Sequence, residues 1–345
     1  MKARGAALAL ALLATTGIAQ AACFTGSPPT AREIALGAPD PRRFGGAATA
    51  PDGSVWFGEE DLHRVARLDP VSGSVREVAV ADAWPDELAI AGDGTVWFSD
   101  RFNSRLGRLG RDGRLSFFAA AAKETYPEGI AIAPDGAVWL ALGAGNTLLR
   151  FTADGSAFTQ FPGTSTPAAW PPVGTPAGIA VAADGSVWFA ETSGSRIGYL
   201  DPSRVLHEYA LPATDAFPER IAVDGAGGSW FTENNAMRLG HLTRDGMLTE
   251  TTLDAEPFGV AVDPDGDVWI TEEYANAVVC RRPDGTLITV AAPTRHAQPY
   301  GMRSRPVGRW SSPSATRTAS ASSATEHRAP VARKRSASAC GRRSR

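Results

Sequence analysis

Six tryptophans recur along the middle of this chain at a nearly constant interval, and that interval limits the possible folds more than any other feature. Trp56, Trp97, Trp139, Trp188, Trp230 and Trp269 stand 41, 42, 49, 42 and 39 residues apart. A period of this size marks a supersecondary unit that cannot bury its own apolar faces and must stack on copies of itself. The longest interval absorbs a proline-rich insertion around Trp170-Pro171-Pro172. The order within a unit is clearest between Gly178 and Leu211. Gly178-Ile179-Ala180-Val181 reads as a first strand, Asp184-Gly185 as a tight turn and Val187-Trp188-Phe189 as a second strand, with Ile197-Gly198-Tyr199-Leu200 and Glu208-Tyr209-Ala210-Leu211 as the third and fourth.

Asp-Gly suits a two-residue hairpin whose central residues both need positive φ. The pair recurs at Asp52, Asp93, Asp135, Asp184 and Asp265 between first and second strands, and at Asp112, Asp154, Asp245 and Asp284 between third and fourth. Four strands per unit follow. Units of this kind pack face to face around an axis, so the pattern predicts an all-β fold, a β-propeller of four-stranded blades with tryptophans as the core between them.

The segments leading into the innermost strands set the blade count. They are Pro85-Asp86-Glu87, Pro127-Glu128-Gly129, Pro176-Ala177-Gly178, Pro218-Glu219-Arg220, Pro257-Phe258-Gly259 and Pro299-Tyr300-Gly301, with Arg43-Phe44-Gly45 as a variant. Seven lead-ins predict seven blades, the last incomplete or garbled. After Gly301-Met302 the chain turns into Arg303-Ser304-Arg305-Pro306 and a Ser/Ala/Arg-rich stretch, too polar to bury a core. This break in mid-unit reads as a shift of reading frame that replaced the last blade. Glu33-Ile34-Ala35-Leu36 matches the fourth-strand pattern and is expected to supply the outer strand of the closing blade.

The ends divide the chain into three parts: a signal peptide at 1–21, a propeller at 22–302 and a basic low-complexity tail at 303–345. Lys2 and Arg4 precede an apolar run from Ala6 to Leu13 and the small-x-small site Ala19-Gln20-Ala21. The protein is therefore expected to be exported, to the periplasm or outside the cell. Gln20 stands where a lipoprotein signal would want an aliphatic residue, which argues against lipidation of Cys23. No later stretch reaches the roughly 20 apolar residues of a membrane helix. Cys23, Cys280 and Cys340 are too scattered for a disulfide framework or a metal cluster, although a Cys23 to Cys280 bridge is compatible with export. The tail carries ten arginines and Lys334 against Glu326, a charge of +10, and the leader carries +2. Removing both from the net −3 leaves −15 on the body. An acidic body argues against a nucleic-acid partner, and a single closed ring is expected to act as a monomer.

Charge also repeats. Glu59, Asp100, Glu191 and Glu233 each follow their tryptophan by three residues, and Arg64, Arg105, Arg196 and Arg238 follow those acids by five. Across a strand-loop-strand turn such positions face one another, predicting structural hairpin ion pairs. The third unit loses both members, as Leu142 and Thr147. The sixth keeps Glu272 but has Ala277 as partner, leaving an acid free for other work.

The units Val187-Trp188-Phe189-Ala190-Glu191 with Ser195-Arg196-Ile197-Gly198-Tyr199-Leu200, and Trp230-Phe231-Thr232-Glu233 with Arg238-Leu239-Gly240, resemble the blades of the streptogramin B (virginiamycin B) lyase family, as does the Pro-x-Gly-Ile-Ala lead-in. The resemblance spans roughly residues 33 to 302. It implies a seven-bladed propeller in which Mg²⁺ assists elimination of the ester closing a cyclic depsipeptide antibiotic, with a histidine as general base. Where the family's two histidines follow lead-in prolines, this chain has Glu219 and Phe258. The family's glutamates are matched by Glu256 and Glu273. In a register one blade later, Tyr300 again replaces a histidine. His63, His207, His241, His296 and His327 match no family position.

Elimination needs a base to take a proton beside a carbonyl and an electrophile to hold the developing enolate. Glu219, Glu256 and Glu273 are the candidate catalytic residues, Glu219 as base if neighbours raise its pKa. Glu256, Glu272 and Glu273 are the candidate ligands for Mg²⁺ or Ca²⁺, hard ions that take oxygen donors. The ligand-binding candidates are Asp86, Glu128, Phe258 and Tyr300, at the mouth of the axial channel where propeller ligands bind. Three functions are consistent with these residues: a metal-assisted lyase on a cyclic ester or lactone, a non-catalytic propeller binding a small cationic or carbohydrate ligand, and a gluconolactonase-like lactone hydrolase.

Overall fold

The structure, a computed structural model, describes residues 44–120, 124–163, 175–272 and 274–291, together with the backbone of short strands at Ala9–Leu13, Ala31–Ala35, Trp310–Ser311 and Thr325–Arg328. It is an all-β propeller, and six four-stranded antiparallel blades are present among the described residues. Their innermost strands are Phe44–Thr49, Pro85–Ile90, Pro127–Ile132, Pro176–Val181, Pro218–Val223 and Pro257–Val262. Inner strands pack against one another from blade 1 through blade 6. The expected seventh blade is not among the described residues, and Tyr300, its lead-in residue, lies outside them. The strand Ala31–Ala35 holds the first three residues of Glu33-Ile34-Ala35-Leu36, the expected outer strand of that blade; it pairs instead with Ala9–Leu13 in a separate small sheet, and Leu36 lies outside the described residues. Thr325–Arg328 runs antiparallel to Met247–Glu250 along the outer edge of blade 5. The Pro-rich insertion falls within 164–174, also outside the described residues.

Five of the six repeat tryptophans are buried as expected, and Trp56 is only partly buried. Trp97, Trp139, Trp188 and Trp269 are fully buried and Trp230 nearly so. Those of blades 2 to 5 point from the second strand of their own blade toward the next: Trp97 packs with Ile130, Val138 and Leu140 of blade 3, and the indole of Trp188 donates to the Gly227 carbonyl of blade 5 at 3.2 Å, whereas Trp269 packs within blade 6. An indole that loses about 200 Å² of exposed surface contributes roughly 5 kcal/mol of burial energy, before the entropy cost of ordering the chain.

The Asp-Gly hairpins take a different turn from the one predicted. Only the glycines have positive φ, for example Gly53 at 83° and Gly185 at 82°. Gly53 donates to the Ala50 carbonyl and Ala50 to the Ser54 carbonyl, both at 2.8 Å, which is a type I turn followed by a left-handed glycine. The aspartate favours this form because its carboxylate accepts the N–H two residues on, as Asp52 Oδ1 does from Ser54 at 2.9 Å.

The acids and arginines face each other in register at Glu59/Arg64, Asp100/Arg105, Glu191/Arg196 and Glu233/Arg238. Direct ion pairs form at Asp100–Arg105 and Glu191–Arg196, both 2.6 Å. Arg64 and Arg238 turn instead to Glu77 and Glu250 on the fourth strand. Both carboxylate oxygens of Glu233 are consequently buried without a hydrogen-bond partner. Burial and the neighbouring Glu250 carboxylate push Glu233 up to about 8, with Arg238 opposing.

Every inner strand is bulged just after its lead-in residue, so that two residues bow toward the axis. In blades 2, 5 and 6 a hydroxyl on the second strand holds the bulge. Ser99 accepts the Glu87 N–H at 3.0 Å and donates to the Glu128 carbonyl of blade 3 at 2.8 Å. Thr232 accepts the Arg220 N–H at 3.2 Å and donates to the Phe258 carbonyl of blade 6 at 2.9 Å. One side chain thus fixes a bulge and ties its blade to the next.

Thr232→Val keeps the volume but orphans a buried N–H and C=O, and is expected to cost about 1–3 kcal/mol in chemical denaturation. The raised Glu233 gives a second expectation. A carboxyl whose folded pKa lies above its unfolded value stabilises below the unfolded value and loses that contribution as pH climbs through the folded one. The melting temperature should fall between pH 5 and 8.5, and Glu233→Gln, neutral throughout, should flatten that fall; an unchanged slope would count against the protonated form.

Candidate functional site

The bulges and the loops between second and third strands converge on one end of the axis, and their side chains build a charged mouth. The second bulge residue is glycine in blades 1, 3, 4 and 6, as Gly46, Gly129, Gly178 and Gly259, but Glu87 in blade 2 and Arg220 in blade 5. Those two reach across the channel and pair, Arg220 Nη2 to Glu87 Oε1 at 2.9 Å. Gly46 leaves room for this: a Cβ there would lie 2.1 Å from Glu87 Oε2. The void at this level is only about 20 Å³, room for one water. Below it the channel widens to about 320 Å³, lined by apolar side chains including Leu88, Ile130, Ile179, Val181 and Val223.

Asp86 and Glu128 occupy the first bulge position of blades 2 and 3, and Arg101 lies between them. Its guanidinium donates to Glu128 Oε1 at 2.9 Å and stands 3.7 Å from Asp86 Oδ2. Asp86 is 2% exposed. Burial first, then the neighbouring charges of Glu87 and Glu60, push its carboxyl up to about 8, with Arg220 and Arg101 pulling the other way. Burial thus favours the protonated form of Asp86, which can donate a hydrogen bond as well as accept one. Phe258 is buried in blade 6, and the Arg220 guanidinium lies 4.8 Å over its ring. The structure thus brings together three of the residues expected at the mouth: Asp86 and Glu128 through Arg101, and Phe258 through Arg220.

Four exposed aromatic residues lie at this end of the propeller. Phe102, Tyr126, Phe217 and Tyr274 are 51%, 38%, 37% and 67% exposed, and all sit on loops of the mouth end. Tyr126 and Phe217 immediately precede lead-in prolines with φ of 47° and 53°, a left-handed conformation unusual for bulky residues. It is held by hydrogen bonds from the facing loop, Gly143 N–H to the Tyr126 carbonyl at 3.2 Å and Asn234 N–H to the Phe217 carbonyl at 3.1 Å.

Glu60, Glu87, Arg101, Arg220 and the aromatic rim were not singled out from sequence. Glu87 and Arg220 carried a usable signal, since each breaks a position that is glycine in the other four bulges. The rim residues carried none, because a left-handed residue before proline runs against the ordinary preference of that position.

The remaining candidates lie on blades 5 and 6. Glu219 is half-buried in the bulge of blade 5. Glu256 is partly buried immediately before the blade 6 inner strand, and Glu272 ends its second strand, buried, with Oε1 lacking a hydrogen-bond partner. Burial and Asp254 raise Glu272 to about 7, while the Ala255 N–H opposes. Glu273 lies outside the described residues. Among the described residues no three His, Cys, Asp or Glu side chains come together as a metal-ligand set. Three histidines are placed structurally: His63 contacts the Ala83 carbonyl at 2.8 Å, His207 stands 3.4 Å from Asp201, and His241 stands 2.8 Å from Asp224. Cys280 is disulfide-bonded, and both other cysteines, Cys23 and Cys340, lie outside the described residues.

The chain is 35% identical over 228 residues to the virginiamycin B lyase of Nocardia farcinica, covering 65% of this chain and 75% of that protein. Its fold matches a streptogramin B lyase structure with a TM-score of 0.72 at 25% identity, covering 78% of this chain and 92% of the other. It also matches a catalytically inactive histidine-to-alanine variant of Staphylococcus aureus virginiamycin B lyase solved with quinupristin, with a TM-score of 0.70 at 21% identity over 80% of this chain and 96% of that one. The model of the virginiamycin B lyase family matches residues 30–175 and 160–332, so the chain is a member of that family.

Proposed function

We propose that this protein is an exported propeller that binds a small, ring-bearing cyclic ester at its axial mouth. The carrying observation is the pairing of a charged, hydrogen-bonding floor with a rim of exposed aromatics, an arrangement suited to hold the polar ester face and the apolar ring edges of one molecule. Arg101 and the Asp86 carboxylic acid supply donors to an ester carbonyl, and the Phe217 and Tyr126 rings cover the ligand's sides. Family membership supports the ligand class. The leader at 1–21 and the disulfide-bonded Cys280 support export into an oxidising compartment.

The test uses the full chain and quinupristin, the molecule bound by the Staphylococcus aureus relative. Titration calorimetry is expected to show saturable one-to-one binding, weakened about fivefold to tenfold by Arg101→Ala and by Phe217→Ala. Absence of binding to the parent protein would remove this reading.

Lyase chemistry is a second reading, favoured by the buried, unpartnered Oε1 of Glu272 and by the family. A base removes a proton on the alcohol side of the ester, from a carbon next to a neighbouring amide carbonyl; that electron pair forms a double bond to the carbon bearing the ester oxygen, and the carbon-oxygen bond breaks so that the acyl part leaves as a carboxylate. Glu219, at a position where the family has histidine, would act as base. Glu256 and Glu272, with Glu273, would hold Mg²⁺ or Ca²⁺, which would supply the charge that stabilises an enolate. Calorimetric titration of each metal should show binding that Glu272→Gln abolishes, and mass spectrometry should show linearised quinupristin that Glu219→Gln prevents. If quinupristin binds but stays cyclic, the mouth holds its ligand without turning it over.

A further inference from the structure

Blade 1 departs from the packing that buries the other tryptophans. Trp56 is only partly buried. In blades 2, 3 and 4 an aromatic side chain on the fourth strand lies against the tryptophan: Phe118 at 5.9 Å from Trp97, Phe161 at 5.1 Å from Trp139 and Tyr209 at 6.5 Å from Trp188, between ring centroids. The same register position in blade 1 is Val78, facing Val65 as Phe118 faces Leu106. Blades 5 and 6 also lack a ring at this position, with Thr251 and Val290, yet bury their tryptophans; blade 1 instead has a cavity of about 510 Å³ beside blade 2, with Trp56, Val78 and Leu109 among its walls. It lies among the hairpin turns, at the opposite end of the propeller from the mouth.

The charges of this cavity are as unusual as its shape. Arg67, Arg76 and Arg111 all line it. Arg67 and Arg76 stand directly opposite one another on neighbouring strands, whereas the matching pairs in blades 2 to 5 are Arg108/Ser116, Arg150/Thr159, Tyr199/His207 and His241/Thr249. Like charges in directly opposed positions destabilise a sheet. Asp52 neutralises Arg67, bound at 2.9 Å, and Asp93, which also lines the cavity, feels the charge of Arg111; Arg76 and Arg111 make no hydrogen bond or close ion pair among the described residues. A guanidinium fork matches a carboxylate, and an indole face takes a flat ring.

We propose that this cavity is a second binding site, for a small ring compound carrying one carboxylate. The ring lies on Trp56 and the carboxylate bridges Arg76 and Arg111. The volume falls within the range of small-molecule sites. Acidic sugars and aromatic acids share this chemistry, so both are used as probes. Glucuronate and 4-hydroxybenzoate are each titrated calorimetrically into the full chain, its Arg76→Gln/Arg111→Gln double variant and Val78→Phe. Val78→Phe restores the ring that blades 2 to 4 carry, so it should fold with an unchanged or higher melting temperature while filling the site. The expected result is saturable binding of at least one probe to the parent protein, reduced tenfold or more in both variants and unaltered in Arg101→Ala at the mouth; which probe binds identifies the ligand's source. Failure of both probes, or binding that survives in folded Val78→Phe, would overturn the proposal.

Discussion

A four-stranded sheet that is apolar on both faces has no stable existence by itself, and most of this molecule's architecture answers that constraint. Among the described residues, the tryptophans of blades 1 to 5 pack against the blade that follows, so the core is a series of interblade layers rather than one interior. The arrangement makes neighbouring blades cooperative and distant ones nearly independent. It also frees the ends of the strands from packing duty. Bulges, loops and turns can then diverge in sequence while the layers stay alike.

The mouth shows what that freedom allows. Four of the six bulges carry glycine at the axis, and the two exceptions bear opposite charges that meet across it. The hydroxyls of Ser99 and Thr232 accept the backbone N–H groups of those same two residues, so the elements that tie blade to blade also aim the cross-axis pair. Because the carboxylates are crowded and poorly hydrated, the acid form of Asp86 is favoured. The floor therefore presents neutral and cationic donors beside carboxylates, a mixed chemistry that a solvated acidic rim would lack.

Architecture was largely legible in the sequence because it is local and repeated. The tryptophan interval, the strand order and the register of acids against arginines are all properties of consecutive residues. Contacts that depend on competition between partners were less legible. Arg64 and Arg238 had two acids within reach, and the alternation of sequence does not say which one wins. The hairpin turns were assigned the wrong type because Asp-Gly fits two geometries, and the side-chain bond from aspartate to the second following N–H decides between them. The mouth was only half visible: Asp86, Glu128 and Phe258 follow from the repeat, whereas Glu87 and Arg220 become partners only once the ring brings remote blades together. The seventh lead-in, at Pro299, falls beyond the residues whose structure is described.

The ion pair across the axis settles how molecules can travel through this protein. At the level of Glu87 and Arg220 the described residues leave room for about one water. A ligand seated against that pair from the mouth side would have to break it to go deeper, and would otherwise leave past the aromatic side chains at the same end. Release is then governed by the rim as much as by the floor, and a molecule altered inside would have to lose its grip on those rings before another could take its place.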